Sequence, residues 1–260
     1  MDRNPANNAN NQILLSGHRG GKLDYENSLG GFQQAINNQI EEIEFDIWLT
    51  IDKVPIIIHG VEGTVGLEGD FGDCYTNSAI VDLTLQQIKK FSLPNGEKIP
   101  TFEELLDLCL GRIKLNCEIK DPNLEVCQIV VDMLINKGYD TTNAHFSSFN
   151  HSTLDTLKEI NPNFKCGYLY RSQDPMPEVE YYSKKGDSCN IPITHLTEEL
   201  ALNCKIANKK VCIYFPGGYL EKLEDYEKCV KYGVYNVISD KPIEFRDFLA
   251  SIQTQHTIQL

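Results

Sequence analysis

Two carboxylates stand two residues apart in Glu44-Phe45-Asp46, and a histidine lies on each side of them in the sequence, His18 and His59. Ile43, Phe45 and Ile47 alternate with the acids, which is the period of a half-buried strand, so Glu44 and Asp46 leave the same face. Two carboxylates side by side repel, and each raises the other's pKa unless a cation holds them. Oxygen ligands suit a hard divalent ion, magnesium or calcium. Without such an ion, the same stretch reads as a solvated strand edge, with His59 a strand-end residue.

The polar residues Thr50-Ile51-Asp52-Lys53 come next, and Val54-Pro55-Ile56-Ile57-Ile58 then ends at His59-Gly60. A polar break between two β-rich runs predicts a hairpin. If the turn is centred between Asp52 and Lys53, His59 lies directly across the ladder from Asp46, with Cβ atoms roughly 5 Å apart. A second alternating run, residues 113–120, brings Glu118 and Lys120 out on one face just before Asp121-Pro122. Near the start, the apolar run 13–15 and Ser16 read as a strand that ends in Gly17-His18-Arg19-Gly20-Gly21, where glycine lets the backbone approach a ligand closely.

The elements that would position these groups follow a steady rhythm. Asn27-Ser28 caps a helix expected over 29–38. Thr84 starts a helix with Leu85, Ile88 and Phe91 inward. Thr101, with Glu104 three residues later, forms a capping box for a helix to about 110. Further helices are expected near 124–137, 151–160, 175–185, 197–208, 218–232 and 241–252. Strands are expected near 143–147, 166–170, 189–193, 211–215 and 234–238. Residues 60–82, rich in glycine and aspartate, form a long loop. Eight βα units, marked by Ile13, Ile43, Leu115, Ala144, Cys166, Cys189, Val211 and Val234, predict a (β/α)8 TIM barrel with an extra hairpin strand after strand 2. A barrel of this kind carries its active site at the C-terminal strand ends. A doubly wound open sheet is the other arrangement with this alternation.

Composition bounds the rest. A chain of 260 residues, 41% hydrophobic, suits one large domain, expected over 13–260 behind a polar tail at 1–12. With 24 basic and 37 acidic residues the net charge is −13, which argues against nucleic acid as a partner. Nine cysteines without a CxxC pair suit a reducing compartment. No stretch reads as a secretory leader or a membrane span, so a cytoplasmic location is expected.

Together these residues resemble the glycerophosphodiester phosphodiesterase family. Its HRG…EN pattern stands here as His18-Arg19-Gly20 and Glu26-Asn27, and its ExD…H as Glu44-Phe45-Asp46 and His59. Its IPT segment stands as Ile99-Pro100-Thr101-Phe102-Glu103-Glu104, and its ExK as Glu118-Ile119-Lys120. Ser148-Phe149 and Ser239-Asp240-Lys241-Pro242 complete the order, which spans roughly residues 13–250. The resemblance implies a (β/α)8 barrel that uses one divalent cation, Mg2+ or Ca2+, to cleave a small glycerophosphodiester such as glycerophosphocholine into an alcohol and sn-glycerol 3-phosphate. It implies Glu44, Asp46 and Glu118 as metal ligands, His18 and His59 as the acid/base pair, and Arg19 and Lys120 on the phosphate. Glu26, Ser148 and Tyr214 are candidates for lining the pocket, and Asp240 reads as the cap of the last helix.

The chain departs from the family pattern in three places. Gly60 stands where an aspartate is usual, an Arg-Thr pair is missing from the following loop, and Tyr214-Phe215-Pro216 replaces a tryptophan on the seventh strand. Two alternatives stay open: a phospholipase D/C-like phosphodiesterase acting on lipid by the same chemistry, and, motivated by Gly60 and the missing Arg-Thr pair, a catalytically inactive metal- and phosphodiester-binding barrel.

Overall fold

The computed structural model describes residues 13–22, 24–67, 78–174 and 186–258. Nine strands run in the order β1 (Leu14–Gly17), β2 (Glu42–Leu49), β3 (Pro55–Ile57), β4 (Lys114–Ile119), β5 (Ala144–Ser148), β6 (Cys166–Leu169), β7 (Ser188–Pro192), β8 (Lys210–Tyr214) and β9 (Asn236–Ser239). All except β3 are parallel. β1 pairs with both β9 and β2, so eight strands close into a barrel, and β3 hangs antiparallel on the free side of β2. The expected eight-stranded barrel with one added hairpin strand is therefore the fold, and the open doubly wound sheet is not.

The helices are α1 (Leu29–Asn37), α2 (Leu85–Ile88), α3 (Phe102–Cys109), α4 (Glu125–Asn136), α5 (His151–Ile160), α6 (Glu198–Ile206), α7 (Leu223–Lys231) and α8 (Pro242–Ile258). Ser28 caps α1 by accepting from the Gly31 amide. Thr84 with Gln87 and Thr101 with Glu104 form reciprocal capping boxes. α2 is a single turn, and Phe91 is buried just beyond it. α7 starts later than 218 because Gly217-Gly218 form a turn and Lys222 is still extended (φ −125°, ψ 156°), and α8 continues past 252. The eighth barrel strand begins at Asn236, two residues after its expected marker Val234. The tail at 1–12, Cys74 and the helix expected at 175–185 lie outside the described residues. No helix among the described residues is long and apolar enough to cross a membrane.

The alternation of β2 places Phe45 toward the helices. Its ring meets Phe32 at 6.0 Å, edge to face, and Phe102 at 6.1 Å, with Ile43 and Ile47 beside it in the main core. Glu42, Glu44 and Asp46 face the barrel interior, in register with Lys114, Asn116 and Glu118 of β4. TIM-barrel interiors are mostly filled by branched apolar residues, but this one is polar. Glu42 accepts hydrogen bonds from Ser16 Oγ and from Asn236 Nδ2, and Ser147 Oγ donates to Asn116 Oδ1 at 2.8 Å. Gly167 leaves room in this interior for the Asn190 amide, which would lie 2.6 Å from a Cβ there and would have to shift.

The hairpin differs from expectation by one residue. Ile47 pairs with Ile57 and Leu49 with Pro55, so Asp46 lies across from Ile58, whose amide donates to the Asp46 carbonyl at 3.1 Å. His59 is therefore not opposite Asp46. The cause is a three-residue turn, Ile51-Asp52-Lys53, in place of a two-residue one. Lys53 takes the left-handed conformation (φ 64°), and Thr50 Oγ1 accepts from the Val54 amide at 2.9 Å. β3 stops at Ile57, and the chain then leaves the ladder, which frees His59 from the alternation that would have turned it away.

Phe45 supports the acidic strand from behind. Replacing it with alanine should cost about 3–5 kcal/mol of unfolding free energy in urea titration, as truncation of a fully buried phenylalanine does. A loss below about 1 kcal/mol would show that β2 is not braced by this aromatic contact.

Candidate active site

The strand ends on one side of the barrel, all but that of β7, contribute to a single cleft of about 170 Å3. It is lined by His18, Arg19, Glu44, His59, Glu118, Lys120, Ser147, Phe149, Tyr214 and the turn Phe215-Pro216-Gly217. The turn after β1 builds the first wall. Gly17 leads into a short 3-10 turn, His18–Gly20, in which Arg19 takes a positive φ of 52°. That twist aims the Arg19 amide at Glu44 Oε2 (3.0 Å) and its Nη1 at both oxygens of Glu26 (3.1 and 3.0 Å), with Nε 3.4 Å from Asp46 Oδ2. Asn27 Nδ2 donates to Asp46 Oδ2 at 2.9 Å.

Glu44, Asp46 and Glu118 each bring a carboxylate oxygen within 4.8 Å of the other two. They are 2%, 1% and 8% exposed. Burial pushes the Glu44 carboxyl well above the usual range, and the charges of Asp46 and Glu118 push it further; the Arg19 amide and charge only partly oppose this. Burial also raises Asp46, but Lys120 and then Arg19 outweigh it and hold that group well below the ordinary value. Lys120 Nζ lies 2.7 Å from Glu118 Oε1 and 3.2 Å from Asp46 Oδ1. Glu44 Oε1 is buried with no hydrogen-bond partner. An orphaned, buried carboxylate oxygen among three converging acids fits a hard divalent cation, and the all-oxygen donor set fits Mg2+ or Ca2+.

The two histidines are held differently. His18 Nδ1 is 2.7 Å from Asp240 Oδ1, and its Nε2 lies toward Glu44. Asp240 is tied by Lys22 Nζ at 2.5 Å. Burial pushes its carboxyl up, but the His18 hydrogen bond and Lys22 overcome this and hold it at about 2. Behind it, Glu221 accepts from the Asp240 amide (2.7 Å), from Ser239 Oγ (2.6 Å) and from Tyr226 OH (2.9 Å). His59 is depressed below the ordinary histidine value by burial; Asp46 partly restores it, and Arg19 and Lys120 lower it again. Trp48 Nε1 donates to the His59 carbonyl at 3.3 Å. Gly60 has φ 70°, and a Cβ there would lie 2.7 Å from the Thr64 carbonyl, so the local backbone excludes the aspartate usual at this position.

The structure thus gathers His18, His59, Arg19, Lys120, Glu44, Asp46, Glu118 and Tyr214 around one cleft. Glu26 stands behind Arg19 and lines an adjoining cleft with His59 and Tyr25. Ser148 is a correction to the expected pocket: its Oγ donates to the Ile119 carbonyl (2.7 Å) and accepts from the Asn150 amide (3.0 Å), which clamps the loop after β5. The strand alternation instead sends Ser147 inward, in register with Glu118, and Phe149 follows it into the cleft. Asp240 is a second correction, since it orients His18. Its place in the Ser239–Pro242 motif was the available sequence signal. Asn27 had the same kind of signal in the Glu26-Asn27 pair, whereas Glu221 lay outside every motif.

The model of the glycerophosphoryl diester phosphodiesterase family matches residues 18–244. The chain belongs to this family, and the expectation of a phosphodiesterase enzyme stands with it. A glycerophosphodiester phosphodiesterase from Caldanaerobacter subterraneus subsp. tengcongensis is 29% identical over 245 residues, 89% of this chain and 95% of that protein. Among solved structures, the glycerophosphodiester phosphodiesterase of Thermotoga maritima aligns with a TM-score of 0.70 at 24% identity, over 90% of this chain and 97% of the other. An Oleispira antarctica phosphodiesterase, solved with its product sn-glycerol-3-phosphate, aligns with a TM-score of 0.79 at 21% identity, over 91% and 96%.

The raised Glu44 carboxyl makes the metal-free site a source of instability with a definite sign. Folded Glu44 holds its proton more tightly than unfolded Glu44, so the folded state loses stability as pH climbs from the ordinary carboxylate range through the raised value. In EDTA-treated protein at pH 8, Glu44→Gln should therefore raise the melting temperature, by roughly 2–4 °C for each kcal/mol recovered. At pH 4.5 the difference should shrink. A variant melting at or below the parent at pH 8 would show that Arg19 and Lys120 already neutralise the cluster.

Proposed function

We propose that this chain hydrolyses glycerophosphodiesters to an alcohol and sn-glycerol 3-phosphate, with a divalent cation at Glu44, Asp46 and Glu118 and with His18 and His59 moving the protons. The observation that carries this reading is the convergence of three buried carboxylates, one with an orphaned oxygen, on a cleft flanked by two histidines and two fixed cations. The family match and the product bound in the Oleispira relative support the same reaction.

A phosphodiester carries one negative charge and resists nucleophilic attack until that charge is offset. A divalent cation held by Glu44, Asp46 and Glu118 would supply Lewis-acid charge neutralisation and would lower the pKa of a hydroxyl. Arg19 is held by Glu26 with its guanidinium at the cleft, positioned to fork onto phosphate oxygens. Lys120, whose pKa is raised above that of ordinary lysine by Asp46 and Glu118 against the opposing effect of burial, contributes a permanent point charge.

His59, depressed and hence neutral near pH 7, is suited to take the proton of the attacking hydroxyl, either the substrate's own glycerol hydroxyl or water. His18 has its Nδ1 tied to Asp240, so its Nε2 is the atom that faces the leaving oxygen and hands it a proton. Asp240 fixes the tautomer and ring orientation. A cytoplasmic location is part of this proposal, supported by the buried cysteines that form no disulfide among the described residues, and so is Mg2+ or Ca2+ as the cation, supported by the oxygen-only donor set.

The test is release of sn-glycerol 3-phosphate from a panel of glycerophosphodiesters. Turnover should vanish with EDTA and return with Mg2+ or Ca2+. His18→Ala and His59→Ala should each lower kcat roughly 10²–10⁴-fold. The acid limb of the pH–rate profile should fall below the ordinary histidine value of about 6.5, because His59 must be neutral to act. Undiminished turnover in either variant would remove that residue from the chemistry, and EDTA-resistant turnover would remove the cation.

A further inference from the structure

One wall of the cleft is built by Phe149, Leu169, Tyr214, Phe215, Pro216 and Gly217. An aromatic wall of this kind is a usual trap for a quaternary ammonium such as choline, which binds over ring faces. Here the chain's own cations already lie there. The Arg171 guanidinium is 4.8 Å from the centre of the Phe149 ring, and Lys120 Nζ is 5.6 Å from it. Tyr214 stands edge-on to Phe149 at 6.0 Å and 90°, and its hydroxyl donates to the Tyr170 carbonyl at 2.8 Å. Among the described residues the acids lining the cleft are Glu44 and Glu118, and Glu118 is already paired with Lys120 at 2.7 Å. Asp174, the acid nearest in sequence, turns Oδ2 back onto the Arg171 amide at 2.7 Å.

We propose that this wall of the cleft selects a polyhydroxyl head group over a quaternary ammonium one, and that Arg171 is the residue that sets the preference. The inference rests on the phosphodiesterase reading above and narrows its substrate class. A cationic head group entering beside Phe149 meets the like charges of Arg171 and Lys120, while Glu118 is paired with Lys120 and Asp174 accepts from the Arg171 amide. A polyol packs its C–H surface on the aromatic wall and accepts hydrogen bonds from the guanidinium, which has five N–H donors and no acceptor. Arg171 is exposed on the loop after β6, so changing it leaves the barrel core untouched.

The experiment compares kcat/KM for glycerophosphoinositol, glycerophosphoglycerol and glycerophosphocholine in the parent, Arg171→Ala and Arg171→Glu, each loaded with the same divalent cation. The parent should favour the two polyol diesters by roughly tenfold, the size of one partly screened charge contact. Arg171→Ala should shrink that ratio, and Arg171→Glu should invert it toward glycerophosphocholine. A parent that prefers glycerophosphocholine, or a ratio that neither variant moves while turnover persists, overturns the head-group inference alone. Absence of turnover on all three diesters in the parent overturns the phosphodiesterase reading and this inference with it.

Discussion

Three carboxylates that cannot all stay charged without a cation among them are the constraint on which the rest of this molecule depends. Glu44, Asp46 and Glu118 are buried within reach of one another, and the surrounding residues compensate them only in part. Lys120 and Arg19 lean on Asp46, Asn27 adds a hydrogen bond, and Glu44 is left with an unpaired oxygen. A fully satisfied cluster would be more stable but would leave nothing for a metal or a phosphate to complete. The strain is affordable because Phe45, on the other face of the same strand, is packed between Phe32 and Phe102.

The same division runs through the barrel. Its outer layer is an ordinary apolar seam between strands and helices, while its inner layer is a hydrogen-bonded network of Ser16, Glu42, Asn116, Ser147 and Asn236. Buried polar groups are stabilised where they find partners, and here most partners come from other strands of the closed sheet, Asn236 of β9 reaching past β1 to Glu42 of β2. The two histidines draw on this frame in opposite ways. His18 is braced from the far end of the chain through Asp240 and Glu221, whereas His59 is set by a hairpin that ends early and by the charges around it.

Much of this was legible from residue order. The alternation around Phe45 announced which side chains of β2 turn inward, and the acid–lysine pair at 118 and 120 announced the same for β4, because a strand has a side-chain period of two whatever it pairs with. Thr101 with Glu104 marked a helix start, since its capping bonds are local. The hairpin register was not legible: Asp52-Lys53 suits a two-residue turn as well as part of a three-residue one, and the difference of one residue moves His59 off Asp46. Ser147 and Ser148 were indistinguishable by type, and only the pairing of Ser147 with Glu118 decides which of them enters the barrel.

The sequence by itself determined the barrel, the acids that share a face, the histidines flanking them and the family to which these motifs belong, because these follow from local periodicity and from ordered spacing. Only the tertiary structure decided that Asp240 holds His18 across 222 positions of chain, that Glu221 pins Asp240, that Gly60 leaves no room for a side chain, and that Arg171 reaches Phe149. These facts depend on barrel closure, which brings strands distant in sequence to one rim. No local pattern encodes which of many polar side chains will meet there.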